Sequence, residues 1–278
     1  MTAIDFNWKA ADGEEIFARE WRPEVPIRAA VALVHGLGEH CGRYEHVAGA
    51  FNQAGIGVVA LDLRGHGKTP GIRGHAPSYD VIMDDIQHLL QETAQRYPGK
   101  PCFLYGHSMG GNLVLYYTLK RKPAITGVIS TSPGLAVATP IPPVKNAMAR
   151  LMHDLWPSFT LDNGLDLSGL SHDPEVAKKY SADPLVHGKI SARLAVDMID
   201  AGVWIREHAA EFPLPLLLLQ GDSDRLVSPP ATREFAEKAP ANLLTFQMWK
   251  NGYHELHNEP EKAEVFKVMV GWIDQELK

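Results

Sequence analysis

The stretch Cys102-Phe103-Leu104-Tyr105-Gly106-His107-Ser108-Met109-Gly110-Gly111 decides how this chain folds. Residues 102–105 form an apolar run ended by a glycine, the mark of a strand buried on both faces. An apolar helical pattern follows over residues 110–120. Gly106 and Gly110 allow a sharp strand-to-helix turn with Ser108 at its apex, its side chain exposed above a sheet. Gly111 adds a third small residue where helix and strand approach closely. The five-residue pattern GxSxG also occurs as a glycine-rich turn carrying a solvent-facing serine. The strand before it and the helix after it favour the nucleophile reading for Ser108.

The flanking sequence repeats the same unit. Residues 29–34 and 57–61 are continuously apolar, and each is followed by a glycine-bearing loop and a helical pattern, at 44–54 and 79–97. Further strands are expected at 127–130, 216–219 and 243–248, and a closing helix at 260–277. Residues 6–22 alternate apolar and polar positions around Asp12-Gly13, which predicts an opening hairpin. Strands alternating with helices predict a mostly parallel sheet flanked by helices, because parallel strands need a crossover connection. Between residues 133 and 212 the strand signals stop, prolines 140, 142, 143 and 157 punctuate the chain, and helical stretches take over. This segment reads as an inserted, mainly helical cap, since Trp156, Phe159, Tyr180 and Trp204 carry too much apolar surface for a disordered loop. The expected organisation is thus a core over 1–132, a cap over 133–212 and a second core segment over 213–278.

Composition narrows the function classes. The chain has 278 residues, 45% of them hydrophobic and 22% charged, an ordinary globular balance. Its formal charge of -6 is spread along the chain without a basic stripe, so nucleic acid is not an expected partner. The two cysteines, Cys41 and Cys102, suit a reduced setting. No secretory signal is read at the N-terminus, and no apolar run is long enough to span a bilayer as a helix. A cytoplasmic location, peripheral at membranes at most, is the expectation.

A serine hydroxyl needs a base to take its proton and donors for the oxyanion it creates. In a strand-turn-helix serine site the chain order is Ser, acid, His, with the acid after a late strand and the histidine after the last. Asp224 and His254 meet that order. Asp222 competes for the acid role, and the loop after its strand carries Asp224 further towards the catalytic edge. His257 is the nearest competitor among 13 histidines. His107 adjoins Ser108 in sequence but is expected to point away from it. The glycine-flanked segment His35-Gly36-Leu37-Gly38 offers the Leu37 N–H as one oxyanion donor, and the Met109 N–H is the other. The histidines show no HExxH spacing, and neither metal nor cofactor is expected.

Several motifs agree at once. His35-Gly36-Leu37-Gly38-Glu39-His40-Cys41-Gly42-Arg43-Tyr44 resembles the HGxGEHxGRY segment of the monoacylglycerol lipase and lysophospholipase-like branch of the α/β-hydrolases. Asp62-Leu63-Arg64-Gly65-His66-Gly67-Lys68-Thr69 is similar to that branch's DxRGHGxS loop, with threonine in place of serine. Residues 106–111 match its GHSMGG elbow, 219–227 its LQGxxDxLV acid segment and 252–259 its GxYHExxNE base segment. The resemblance implies an α/β-hydrolase fold and selects Asp224 over Asp222 and His254 over His257. It also implies that Glu39, Arg43, Tyr180 and His257 hold the glycerol end of a substrate. From the residues alone, a Glu39–Arg43 salt bridge stiffening the loop is the favoured role for that pair, and Asp62 and Arg64 are expected to brace the core loops.

The expected activity is cofactor-independent hydrolysis of monoacylglycerols or similar medium-to-long acyl esters through an acyl-enzyme. The nearest alternatives are a lysophospholipase or a general carboxylesterase, and, in a different class, a non-catalytic ligand-binding protein of the same fold. The expected partner is a small acyl-ester lipid, with transient membrane-surface contact through the cap. Monomer and homodimer both stay open.

Overall fold

The computed structural model describes residues 1–278. An antiparallel hairpin, β1 (Thr2–Lys9) and β2 (Glu15–Arg22), opens the chain. Its loop is wider than a two-residue turn. Ala10 N–H donates to Glu14 O and Gly13 N–H to Ala10 O, with Gly13 at a φ of 89° that an L side chain resists.

The core then alternates strand and helix: β3 (Ala29–Val34), α1 (Glu45–Gln53), β4 (Ile56–Leu61), α2 (Tyr79–Arg96), β5 (Cys102–His107), α3 (Met109–Arg121) and β6 (Gly127–Thr131). Next come α4 (Pro143–Leu155), β7 (Thr160–Asp162), α5 (Pro174–Ala182), β8 (Lys189–Ser191) and α6 (Ala192–Glu207). The chain finishes with β9 (Leu216–Gly221), α7 (Pro229–Lys238), β10 (Leu244–Trp249) and α8 (Lys262–Glu276). Eight strands form one sheet in the order β1-β2-β4-β3-β5-β6-β9-β10, parallel from β4 to β10.

The period-two geometry of the strands divides their side chains between two core layers. Ala30, Ala32 and Val34 of β3 face the layer covered by α2, α3, α6 and α7, whereas Ala29, Val31 and Leu33 face α1 and α8. Leu216 to Leu219 divide in the same way. Both faces are dry, which explains why these strands read as unbroken apolar runs rather than as alternation.

Between β6 and β9 the mainly helical segment has two features that the sequence pattern does not show. β7 and β8 pair antiparallel, Thr160 opposite Ser191, over three residues each, too short to leave a strand pattern in the sequence. Helix α6 is half core: Leu194, Val196, Ala201 and Ile205 are buried, and Gly202 lies so close to Leu135 O that a Cβ there would approach it to 2.5 Å. Helix α4 has no buried residue and packs chiefly on α6.

The elbow is closed by backbone on all sides. A Cβ at Gly110 would overlap Val34 O and lie 2.6 Å from His35 O, and one at Gly106 would overlap the Gly110 carbonyl. Gly49, inside α1, has no neighbour within 4 Å of a Cβ. Gly110→Ala is therefore expected to destabilise the fold by more than about 3 kcal/mol through overpacking. Gly49→Ala should stabilise it by about 0.5–1 kcal/mol, because alanine loses less chain entropy in a helix. Urea denaturation of the two variants checks both signs.

Candidate active site

Ser108 sits between β5 and α3 at φ 57° and ψ -119°, a conformation that a residue with a side chain adopts only when its surroundings impose it. Its own backbone is tied at both ends. Ser108 N–H donates to Thr131 O at 3.0 Å, and Ser108 O accepts from Gly134 N–H at 2.9 Å. This leaves the side chain pointing out of the turn, where Oγ lies 2.9 Å from His254 Nε2. His254 Nδ1 is 2.8 Å from Asp224 Oδ2. A carboxylate only accepts, so Nδ1 carries the imidazole proton and Nε2 is free to receive one from Ser108.

The Asp224 carboxylate is satisfied on every side. Oδ1 accepts from the N–H groups of Leu226 at 2.8 Å and Val227 at 3.1 Å, and Oδ2 also accepts from Gln220 Nε2 at 3.0 Å. Burial pushes this carboxyl up, yet the charge and hydrogen bond of His254 and the two amides outweigh it and hold Asp224 below its usual range. Burial likewise pulls His254 down, and the Asp224 charge and hydrogen bond, with Glu255 and Glu39 behind them, leave it above its ordinary 6.5. Asp222 is engaged elsewhere, since its Oδ1 accepts from the Asn251 N–H and closes the turn beside the site. His107 is buried, hydrogen-bonds Thr131 Oγ1 through Nδ1 and makes no bond to Ser108.

Leu37 and Met109 line the same cavity as Ser108 and His254. No group of the protein accepts the Leu37 N–H. The Met109 N–H belongs to the first residue of α3, one of the amides that a helix start leaves without an intrahelical acceptor. The loop bearing Leu37 is held from behind. Glu39 Oε1 accepts from Gly36 N–H and Tyr44 Oη, each at 2.7 Å, and Arg43 bridges Glu39 to Glu255, binding both Glu255 oxygens at 2.8 and 2.9 Å. Two buried carboxylates thus share one guanidinium, and the Arg43 charge overcomes burial to bring Glu255 down to about 2.

Of the four positions that the resemblance assigns to the alcohol, Tyr180 lines a cavity of about 250 Å³, with Asp162, Asn163, Asp183 and His187. Its ring also covers the Arg43 guanidinium at 4.7 Å. Glu39, Arg43 and His257 line neither this cavity nor the one at Ser108. His257 is 1% exposed, with its ring stacked on Tyr44 and edge-on to His107. His107, Glu255 and His257 bring ligand atoms within 4.8 Å of one another, but both Glu255 oxygens already serve Arg43, whose charge opposes a cation. Arg64 pairs with Asp85 and Asp12, and Asp62 accepts from the N–H groups of Cys41 and Lys68, so these residues brace loops.

Sequence reasoning does not single out Gln220, Ser132 and Glu255, which support the site. Gln220 of β9 spans from Asp224 to Thr232 of α7, whose hydroxyl donates to Gln220 Oε1 at 2.9 Å. Ser132, at a φ of 43°, donates its hydroxyl to the His254 carbonyl at 2.7 Å, and its N–H to Leu219 O. Residues 131–134 therefore hold the backbones of both Ser108 and His254. Gln220 and Glu255 lie inside quoted motifs, which is the signal that could have flagged them. Nothing in the local sequence marks Ser132, because its partner is 122 residues away.

The electrostatics set a pH signature. The base must be neutral to accept a proton, so kcat/KM should fall as pH drops through a His254 value above 6.5. In Asp224→Asn the charge that raises His254 is gone and burial remains, so the acid limb should move to lower pH. kcat should also drop by roughly 10⁴ as the imidazole loses its tautomer control. A pH-rate profile of both proteins measures the two effects together.

Known proteins are similar to this chain in sequence and fold. Residues 25–261 match the family described as Serine aminopeptidase, S33. The monoacylglycerol lipase of Mycolicibacterium smegmatis is 34% identical, over 99% of this chain and 99% of that one. An uncharacterized abhydrolase domain-containing protein of Dictyostelium discoideum is 40% identical over the whole chain, which spans 30% of that protein's length. The crystal structure of Paleococcus ferrophilus monoacylglycerol lipase superposes with a TM-score of 0.87 at 36% identity, covering 94% of this chain and 99% of that one. The chain belongs to the Serine aminopeptidase, S33 family and is an ester-hydrolysing serine hydrolase of the α/β-hydrolase fold.

Proposed function

We propose that this enzyme hydrolyses monoacylglycerols to fatty acid and glycerol. The observation that carries the reading is a cavity of about 330 Å³ opening on Ser108 and His254, with an otherwise mainly apolar lining that includes Leu135, Val137, Ile141, Met198 and Val203. Such a lining takes an acyl chain from water and leaves few groups to bind anything else. The polar cavity holding Tyr180 shares Leu165 with it as a wall, so an apolar and a polar compartment adjoin. A monoacylglycerol has those two halves.

In this reading Ser108 Oγ attacks the ester carbonyl while His254 Nε2 takes its proton. Asp224 stabilises the imidazolium, and the Leu37 and Met109 amides receive the oxyanion. His254 returns the proton to the departing glycerol and an acyl-enzyme remains. A water deprotonated by the same imidazole then releases the fatty acid. Tyr180 holds the alcohol, and Glu39, Arg43 and His257 support the loops around it from behind.

The polar cavity favours glycerol over a phosphodiester headgroup. Asp162 and Asp183 both line it, and Asp183 is held below the usual carboxylate range despite burial, chiefly through its hydrogen bond to His40. Two carboxylates oppose a phosphate and accept hydroxyl protons. Turnover of a monoacylglycerol should therefore exceed that of the anionic lysophosphatidylglycerol with the same acyl chain by about tenfold or more. A reversed preference overturns the assignment. Absence of a fluorophosphonate adduct on Ser108 would instead point to a ligand-binding protein.

Delivery of such a substrate from a bilayer fits α4. Val144, Met148, Leu151 and Leu155 recur at i, i+4, i+7 and i+11, one stripe of a helix, and are 57–74% exposed, with Trp156 beside them. No helix is long and apolar enough to cross a membrane, and an exposed apolar stripe of this kind suits a bilayer surface. The protein should co-sediment with phosphatidylcholine vesicles, and Leu151→Asp/Leu155→Asp should abolish this. If the pair instead lowers a dimeric mass with no change in sedimentation, the stripe joins two copies.

A further inference from the structure

The cavity at Ser108 has a direction. Met198 marks its catalytic end, since a Cβ on Gly134 would lie 3.6 Å from Ser108 O and 3.8 Å from Met198 Sδ. From there the wall follows α6 through Ile199 and Val203 to Arg206, eight residues on. At the rise of an α-helix that is roughly 12 Å, about the reach of a medium-length acyl chain. Arg206 is the one arginine, lysine or carboxylate side chain in the lining.

The opposite wall turns polar at the same level. His153 and Arg150 of α4 pair with Asp197 and Asp200 of α6, which makes the two helices antiparallel. Continuing that register along α4 brings Asn146, also a lining residue, to the level of position 204, within one helical turn of Arg206. Arg206 is fixed rather than free to swing away. Its Nη1 donates to Glu234 Oε2 at 2.6 Å and its Nε to Gly202 O, while Glu234 is held in turn by Lys238 at 2.6 Å. Its Nη2 makes no hydrogen bond within the protein.

We infer that Arg206, with Asn146 facing it, ends the acyl channel and sets the length of acyl chain the enzyme prefers. This inference rests on reading the cavity as the acyl site. Each methylene laid against the apolar wall between Met198 and Val203 improves kcat/KM by about fourfold. Beyond that point a chain must strip water from a guanidinium fixed in place and offers it no hydrogen bond in return, so the gain stops and reverses. The preferred substrates are short- to medium-chain acyl esters.

A series of p-nitrophenyl esters from acetyl to palmitoyl, assayed with the wild type, Arg206→Met and Arg206→Lys, tests this. The wild-type profile should rise and then fall. In Arg206→Met the optimum should move to longer chains, with the palmitoyl-to-butyryl ratio of kcat/KM raised by about fifteenfold, the yield of roughly two more buried methylenes. Arg206→Lys, which keeps the cation, should keep the wild-type optimum. A wild-type profile that climbs steadily to palmitoyl, or an Arg206→Met profile that superimposes on it, overturns the inference. If Arg206→Met does not fold, Arg206→Gln, which keeps hydrogen bonding but loses the charge, should lengthen the optimum in the same way. Fluorophosphonate labelling of Ser108 separates the failures. Labelling with a flat length profile removes the ruler alone, whereas no labelling removes the esterase reading beneath it.

Discussion

The turn at Ser108 is the constraint around which the molecule is built. A side-chain-bearing residue at φ 57° costs of order 1–3 kcal/mol, and it persists because β5 and α3 are locked to their neighbours. Gly106, Gly110 and Gly111 let backbone approach backbone where any side chain would intrude. What the strain secures is exposure: the hydroxyl stands clear of its own helix and can meet groups from distant parts of the chain. Those groups come from the loops after β9 and β10, which the parallel sheet delivers to the same edge as β5.

A balance of buried charge then makes the assembly a base and not merely a contact. His254 is buried and would lose its affinity for protons if the Asp224 carboxylate were displaced or neutralised. Four hydrogen-bond donors prevent both. Behind them Arg43 compensates Glu39 and Glu255, and the same Glu39 carboxylate orients the Gly36 amide that precedes Leu37. Loop geometry and electrostatics are therefore carried by shared residues. Removing Arg43 would leave two buried carboxylates uncompensated, which explains why a charged cluster lies where motif resemblance suggested substrate contact.

The segment between β6 and β9 serves two solvents. Helix α6 presents buried residues to α3 and lines the cavity at Ser108 with Met198, Ile199 and Val203, so the core and the cavity share one helix. Helix α4 lies outside it with an apolar stripe turned to solvent. Residues 187–191 stitch this segment to the catalytic loops, with His187 N–H on Gly38 O and Ser191 N–H on Gly74 O. The position of the segment and the shape of the loop bearing Leu37 are consequently linked.

The parallel core was legible in the chain's own pattern, because strands dry on both faces must be continuously apolar and crossovers must be helical. So were the elbow at Ser108, because only glycines fit around it, and the order Ser, Asp, His along the chain. The choice of Asp224 and His254 over their neighbours came from motif resemblance, and the folded chain supplies its physical basis: Asp222 is used by a turn, and His257 is stacked between rings. The groups that support Ser108, Asp224 and His254 and the far end of the cavity emerged only on folding. Ser132, Gln220 and Arg206 act through partners 122, 12 and 28 residues away, set by packing between elements and not by local periodicity. The three-residue strands β7 and β8 were illegible for the same reason, since their pairing is made by the chain around them.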